Sequence, residues 1–198
     1  MNLRLTLALS AFLCTTFSLH AQTTDFPGAS DLPGVTRPTG SFIIGAMRID
    51  NDEFEVPLGP IERSAEKPSK TLTVTGSVDR LAYAGLTTTS TFSTYAGIAS
   101  QLKAAGYTEV YTCARATCSS PYHLATYLAQ PLINSTHQGD WAHWMIDDLY
   151  AANDDIRYGT FRRGAEYLCV LAALVPGHPA GALLIRIANP SSKSVLQP

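Results

Sequence analysis

The densest concentration of residues able to do chemistry runs from His137 to Asp148, in the order His137-Gln-Gly-Asp140-Trp-Ala-His143-Trp-Met-Ile-Asp147-Asp148. His143 and Asp147 are four apart, so a helix places them on one face, where they could share a metal ion or form an oriented general base. His137, on the preceding loop, is the candidate third ligand. No His-Glu-x-x-His pattern or comparable signature accompanies them. The two tryptophans interleaved with these residues require burial, so the polar positions are expected on the outer face and the metal site is expected to be empty. A secreted metal-dependent or hydrolytic enzyme built on His137, His143 and Asp147 is therefore the second reading of function, not the first.

Cys113 and Cys118 enclose four residues between a strand and a helix. A redox pair ordinarily has two intervening residues and a lowered thiol pKa, and a zinc site would need a second pair. A structural disulfide is the expected state, and Cys169, among apolar residues, is expected to be a buried free thiol. The tyrosines at 122, 127, 150, 158 and 167 could form an aromatic platform for a glycan or peptide, but such residues are ordinary in half-buried elements. Arg157, Arg162 and Arg163 with Tyr158 and Phe161 form a small basic–aromatic segment, expected to be a short edge strand protected by its charges. The nucleophile elbow of serine hydrolases, the phosphate loop and the dinucleotide fingerprint are all missing.

The compartment follows from the start of the chain. Met1–Ala21 has one basic residue (Arg4), then an apolar run over 5–19, then a small residue before Gln22. This is the layout of a secretory signal peptide cleaved near Ala21, which predicts a periplasmic or secreted protein in an environment that permits disulfides. Without Arg4, 13 of the 14 basic residues face 16 acids, a net charge of −3 on the remaining 177 residues. So mild a balance argues against nucleic acid or anionic lipid as partner. The longest later apolar stretch, residues 167–175, is about half of a transmembrane helix, so no membrane span is expected in the mature chain.

Residues 22–40 carry Pro27-Gly28, Pro33-Gly34 and Pro38 with Gly40 and are expected to be an irregular arm. The single domain should occupy 41–190, with a disordered tail over 191–198. Strands are expected at 41–49 and 54–56, with a loop at 62–70. A further strand is expected at 71–83, where the apolar alternation shifts by one between Val78 and Leu81; a bulge at Gly76-Ser77 would account for that. A helix capped by Ser90 or Thr91 has Phe92, Tyr95, Ala99 and Leu102 at helical spacing and closes at Gly106. A strand over 107–113 then completes a split β-α-β arrangement. Ser120 and Pro121 open a second helix, and Asp140 can cap a third. Residues 167–175 read as a central strand, and 182–188 as its antiparallel partner. The fold class is α+β: a mixed, largely antiparallel sheet with two to three helices packed on one face.

Several segments together are similar to a known family. They are Leu32-Pro33 through Arg37-Pro38-Thr39-Gly40-Ser41-Phe42-Ile43-Ile44, then Phe54-Glu-Val-Pro-Leu-Gly-Pro60, Leu72–Tyr83, Leu102-Lys-Ala-Ala-Gly-Tyr107, Tyr167–Val175 and Ile185–Pro190. Over residues 31–190 the chain resembles an exported domain-of-unknown-function family of Gram-negative envelope proteins, often found ahead of an OmpA-like peptidoglycan-binding domain. No such domain follows here, so anchoring by that route is not expected. The resemblance implies an envelope-associated protein, and it defines no catalytic residue to carry over. The leading expectation is a non-enzymatic binding or structural module without a cofactor, whose partner is an envelope protein or a cell-wall component.

Overall fold

In a strand, successive side chains point to opposite faces of the sheet. Val74, Val78, Ala82 and Ala84 lie on one face of the strand Thr71–Ala84, and Leu81 and Tyr83 on the other, and the two sets belong to two separate buried clusters. The shift in alternation between Val78 and Leu81 therefore marks burial on both faces, with no bulge in this strand. The computed structural model describes residues 24–85, 89–136, 140–151 and 153–188. The expected signal segment 1–21 and the tail 191–198 lie outside the described residues.

The elements in order are β1 (Phe42–Pro57), β2 (Thr71–Ala84), α1 (Thr91–Ala104), β3 (Thr108–Ala114), a 3-10 turn (Arg115–Cys118), α2 (Pro121–Ser135), α3 (Asp140–Leu149), β4 (Asp155–Arg163), β5 (Glu166–Leu174) and β6 (Gly181–Ala188). The six strands form one sheet in the order β1-β2-β6-β5-β4-β3, and every neighbouring pair is antiparallel. The fold is thus α+β. The passage β2–α1–β3 carries the chain from the second strand position to the far edge, with β6, β5 and β4 between the two strands.

Three expectations change. The two strands expected at 41–49 and 54–56 are one, β1, and its register slips between Ile49 and Asp52, where Asn51 adopts φ 55°. The extra residue lies in β1, opposite the stretch Gly76–Val78 of β2, so the irregularity was expected on the wrong strand. The segment Arg157–Arg163 is not an edge strand: β4 lies between β5 and β3, because β3 arrives from α1 and adds outside it.

The helices do not share one face. Leu124, Leu128 and Leu132 of α2 and Met145 and Leu149 of α3 pack with Val78, Cys169, Leu171, Leu183 and Ile185. Ile98, Ala99 and Leu102 of α1 pack with Leu81, Tyr83, Leu168, Val170 and Leu184 on the opposite face, together with Leu32 and Val35 from the arm. A sheet apolar on both sides needs cover on both, and one helix plus the arm supplies the second layer.

Local signals account for the helix ends. The Ser90 side chain accepts from the Ser93 N–H, and Gly106 takes φ 84° just after α1. Pro121 opens α2 where its missing N–H costs nothing. In α1 the buried stripe is Thr91, Thr94, Ile98, Ala99 and Leu102, whereas Phe92, expected in that stripe, is 61% exposed beneath the Arg157 guanidinium.

Candidate functional site

The arm is pinned where it crosses the α1 face. Arg37 donates from Nη1 and Nη2 to the two oxygens of Asp25 (2.7 and 2.9 Å) and from Nε to both oxygens of Asp31 (3.0 and 3.1 Å). Asp31 also accepts from the Tyr83 hydroxyl (2.9 Å), and Asp25 from the Ile43 N–H (2.8 Å). The Phe26 N–H donates to the Ile43 carbonyl, so the arm adds a short backbone contact to the β1 edge. The hydrogen bonds from Arg37 hold the Asp25 carboxyl below its ordinary range against the opposing effect of burial. The irregular arm expected over residues 22–40 thus forms a clasped wall over its described residues, and Phe26 continues it round the sheet edge to Trp141, 5.2 Å away and edge-on.

Between this wall and the sheet lies an open cleft of about 480 Å³, lined by arm residues 26–33 together with Ala46, Met47, Arg48, Asp79, Arg80, Leu81 and Arg186. Ladder register builds its floor: Arg48 pairs with Asp79, and Asp79 with Arg186, giving a row of alternating charge across β1, β2 and β6. Arg48 is fully engaged, with Nε on Asp50, Nη1 on Asp79 (3.0 Å) and Nη2 on the Ser77 hydroxyl. Arg186 donates from Nε to Glu166, whose other oxygen accepts from Arg163 (3.0 Å). Burial acts to raise the Glu166 pKa, but hydrogen bonds from Arg186, Tyr107 and Arg163 outweigh it and the net shift is downward. Among the described residues the terminal nitrogens of Arg186 have no hydrogen-bond partner.

The cluster anticipated from sequence lies elsewhere, on α3. His143 Nε2 is 3.3 Å from Asp147 Oδ2, on the outer side of the helix, and the histidine side chain is 73% exposed. His137 lies outside the described residues. Among the described residues no group of three or more histidine, cysteine or acidic side chains could hold a metal ion. Trp141 and Trp144 are half-buried against the core and stack edge-on, 5.2 Å apart.

Cys113 and Cys118 form a disulfide across the 3-10 turn, and Cys169 is a buried free thiol whose pKa burial pushes up to about 11. Such a thiol is a poor nucleophile at neutral pH. The tyrosines do not form one platform: Tyr158 and Tyr167 are buried in the sheet, while Tyr122 and Tyr150 meet edge-on at 5.8 Å beside α2. The three arginines also separate. Arg157 covers Phe92, Arg162 covers Tyr167, and Arg163 covers Tyr107 while binding Glu166.

Two buried charges complete the inventory. Arg80 extends to the α2 face, with its guanidinium 5.3 Å from the Phe54 ring, so only the backbone side of this residue meets the cleft. It is 6% exposed, its Nε and Nη1 have no partner, and burial lowers its pKa. Asp148, near the C-terminal end of α3, has its pKa pushed up to about 7 by burial and by Asp147, with His178 Nδ1 3.7 Å away.

Sequence reasoning missed the cleft because its walls are far apart in the chain. A signal was present: Arg48 and Arg186 each interrupt a strand between two apolar neighbours, and Asp79 and Arg80 stand together between Val78 and Leu81. No family model matches the chain, and no curated protein matches it significantly.

Proposed function

We propose that the protein is an exported, envelope-associated binding module, with the cleft between the arm and strands β1, β2 and β6 as its site. The observation that carries this reading is the clasp, because Arg37, Asp25, Asp31 and Tyr83 hold the cleft wall in place before any ligand arrives. A preformed concave site of this volume, apolar on the arm side and charged on its floor, has the composition of a ligand pocket. The Cys113–Cys118 disulfide supports an oxidising compartment, in keeping with the signal peptide read over residues 1–21. The family resemblance over residues 31–190 points to the Gram-negative envelope, and among the described residues no helix is long and apolar enough to cross a membrane.

The test is retention of the purified mature protein by intact cell-wall sacculi and by detergent-solubilised envelope proteins. Wild type should be retained by one of them, and Ser30→Trp, which adds bulk at an exposed position of the cleft wall, should not. Equal retention of both proteins would place the binding surface elsewhere. Mass analysis of the exported protein should show the loss of residues 1–21.

The His143–Asp147 contact supports a second reading, a metal-assisted enzyme. Elemental analysis of protein purified without chelator decides it: stoichiometric metal lost in His143→Ala supports that reading, and its absence from wild type removes it.

A further inference from the structure

Resting on the reading of the cleft as a ligand site, we infer that its ligand carries a carboxylate on a small apolar body, and that the terminal nitrogens of Arg186 receive that carboxylate. A guanidinium presents five donors in a rigid plane, and its fork matches a carboxylate in bidentate geometry. Of the cleft's arginines, Arg48 has all three nitrogens committed, and Arg80 turns its side chain to the other face. Arg186 alone lines the cleft with unengaged terminal nitrogens on the same side of the sheet.

Its orientation is held from behind. Glu166 is 9% exposed, lies on the same face of β5, and fixes Arg186 through Nε, the nitrogen that a bidentate contact through Nη1 and Nη2 does not use. Arg163 holds the second Glu166 oxygen, and its own guanidinium lies over the Tyr107 ring, 4.4 Å from the centroid. The ion pair that would ordinarily exhaust an arginine therefore aims this one, and Glu166 is a positioning residue. Across the cleft, Phe26, Leu32 and Pro33 on the arm and Leu81 on the sheet supply apolar surface for the rest of the ligand.

The probes are N-acetyl-L-phenylalanine and its uncharged amide, titrated against the full mature protein by calorimetry and by NMR. Wild type should bind the acid about ten-fold more tightly than the amide, the range expected of a charge-assisted bidentate contact. Arg186→Gln should abolish the preference by bringing the affinity for the acid down to that for the amide. Glu166→Gln should reduce the preference for the acid without changing amide affinity, a separation that a merely structural role would not produce. Equal affinity for acid and amide in wild type, or a preference that survives Arg186→Gln, overturns the carboxylate assignment. If binding of both probes is still lost in Ser30→Trp, the cleft remains a ligand site of other chemistry. If neither probe binds wild type, the assignment fails, and retention by envelope fractions then decides separately whether the cleft is a site at all. Circular dichroism of each variant identifies any loss of fold.

Discussion

Under α2 and α3 the sheet is closed by apolar side chains over a long stretch of chain, whereas under α1 and the arm a smaller apolar cluster is rimmed by paired charges. From Ala116 to Ile156 the chain has neither lysine nor arginine, and α2 has no charged residue at all. On the opposite face Arg37 binds Asp25 and Asp31, Arg48 binds Asp79, Lys103 binds Glu109, Arg115 binds Asp155, and Arg163 and Arg186 bind Glu166. The carboxyls of Asp25, Glu109, Asp155 and Glu166 all titrate below their ordinary range, because hydrogen bonds from cations and hydroxyls overcome burial. On the α3 side Asp148 has no such donor and moves the other way. The lesson is physical: apolar burial fixes a surface, while paired charges on the other side leave polar atoms available for recognition.

The largest expected effect that would sharpen this contrast comes from the apolar face. Leu128→Ala removes a buried α2 side chain from the larger cluster and should cost about 3 kcal/mol in denaturant unfolding. A loss under 1 kcal/mol would mean that α2 is less firmly packed than its burial implies.

Asp148 gives the faces opposite pH responses. Its folded carboxyl titrates near 7 against an ordinary 3.8, so between those values the native state keeps a proton that the unfolded chain has lost. Its contribution to stability therefore falls as pH rises through that window and is level above it. Asp148→Asn should remove this slope and stabilise the protein at pH 8 by up to about 4 kcal/mol, the full value of the shift. The lowered carboxyls of the α1 face contribute stability above their ordinary range, and it is lost as pH falls through their folded values. Acid should therefore loosen the arm as Asp25 takes up its proton, which hydrogen exchange over residues 25–43 would detect.

The disulfide is expected to contribute roughly 2 kcal/mol by shortening the freedom of the unfolded chain. Reduction with thiol should lower the unfolding midpoint without changing the fold. Smaller effects follow on the charged side. Arg37→Ala should cost about 1 kcal/mol globally, since its clasp is partly exposed and screened, yet it should free the arm to proteolysis. Arg80 is the exception that tests the comparison, a guanidinium on the apolar face with two unpartnered nitrogens. Arg80→Met should leave stability unchanged or raise it by about 1 kcal/mol; a large loss would mean that the charge has a partner of its own.

Much of the fold was legible because its signals are local. Ser90, Gly106 and Pro121 stand at helix ends for reasons that hold in any context, and the apolar run of β5 announced a strand buried on both sides. The site was not legible in the same way. His143 and Asp147 are close because a helix puts residues four apart together, and that says nothing about what faces them. Arg48, Asp79 and Arg186 are brought side by side only by strand register, and the order β1-β2-β6 is not written in any short window.

Taken alone, the sequence determined most of the elements, the cysteine pair and the charge of each segment, because these depend on neighbours a few residues away. Only the tertiary structure decided that helices cover both faces of the sheet, that the proline-rich arm is clasped into a wall, and that one arginine is aimed by a buried glutamate. Those outcomes rest on contacts between residues dozens of positions apart, which form only when the sheet closes and excludes water from both its sides.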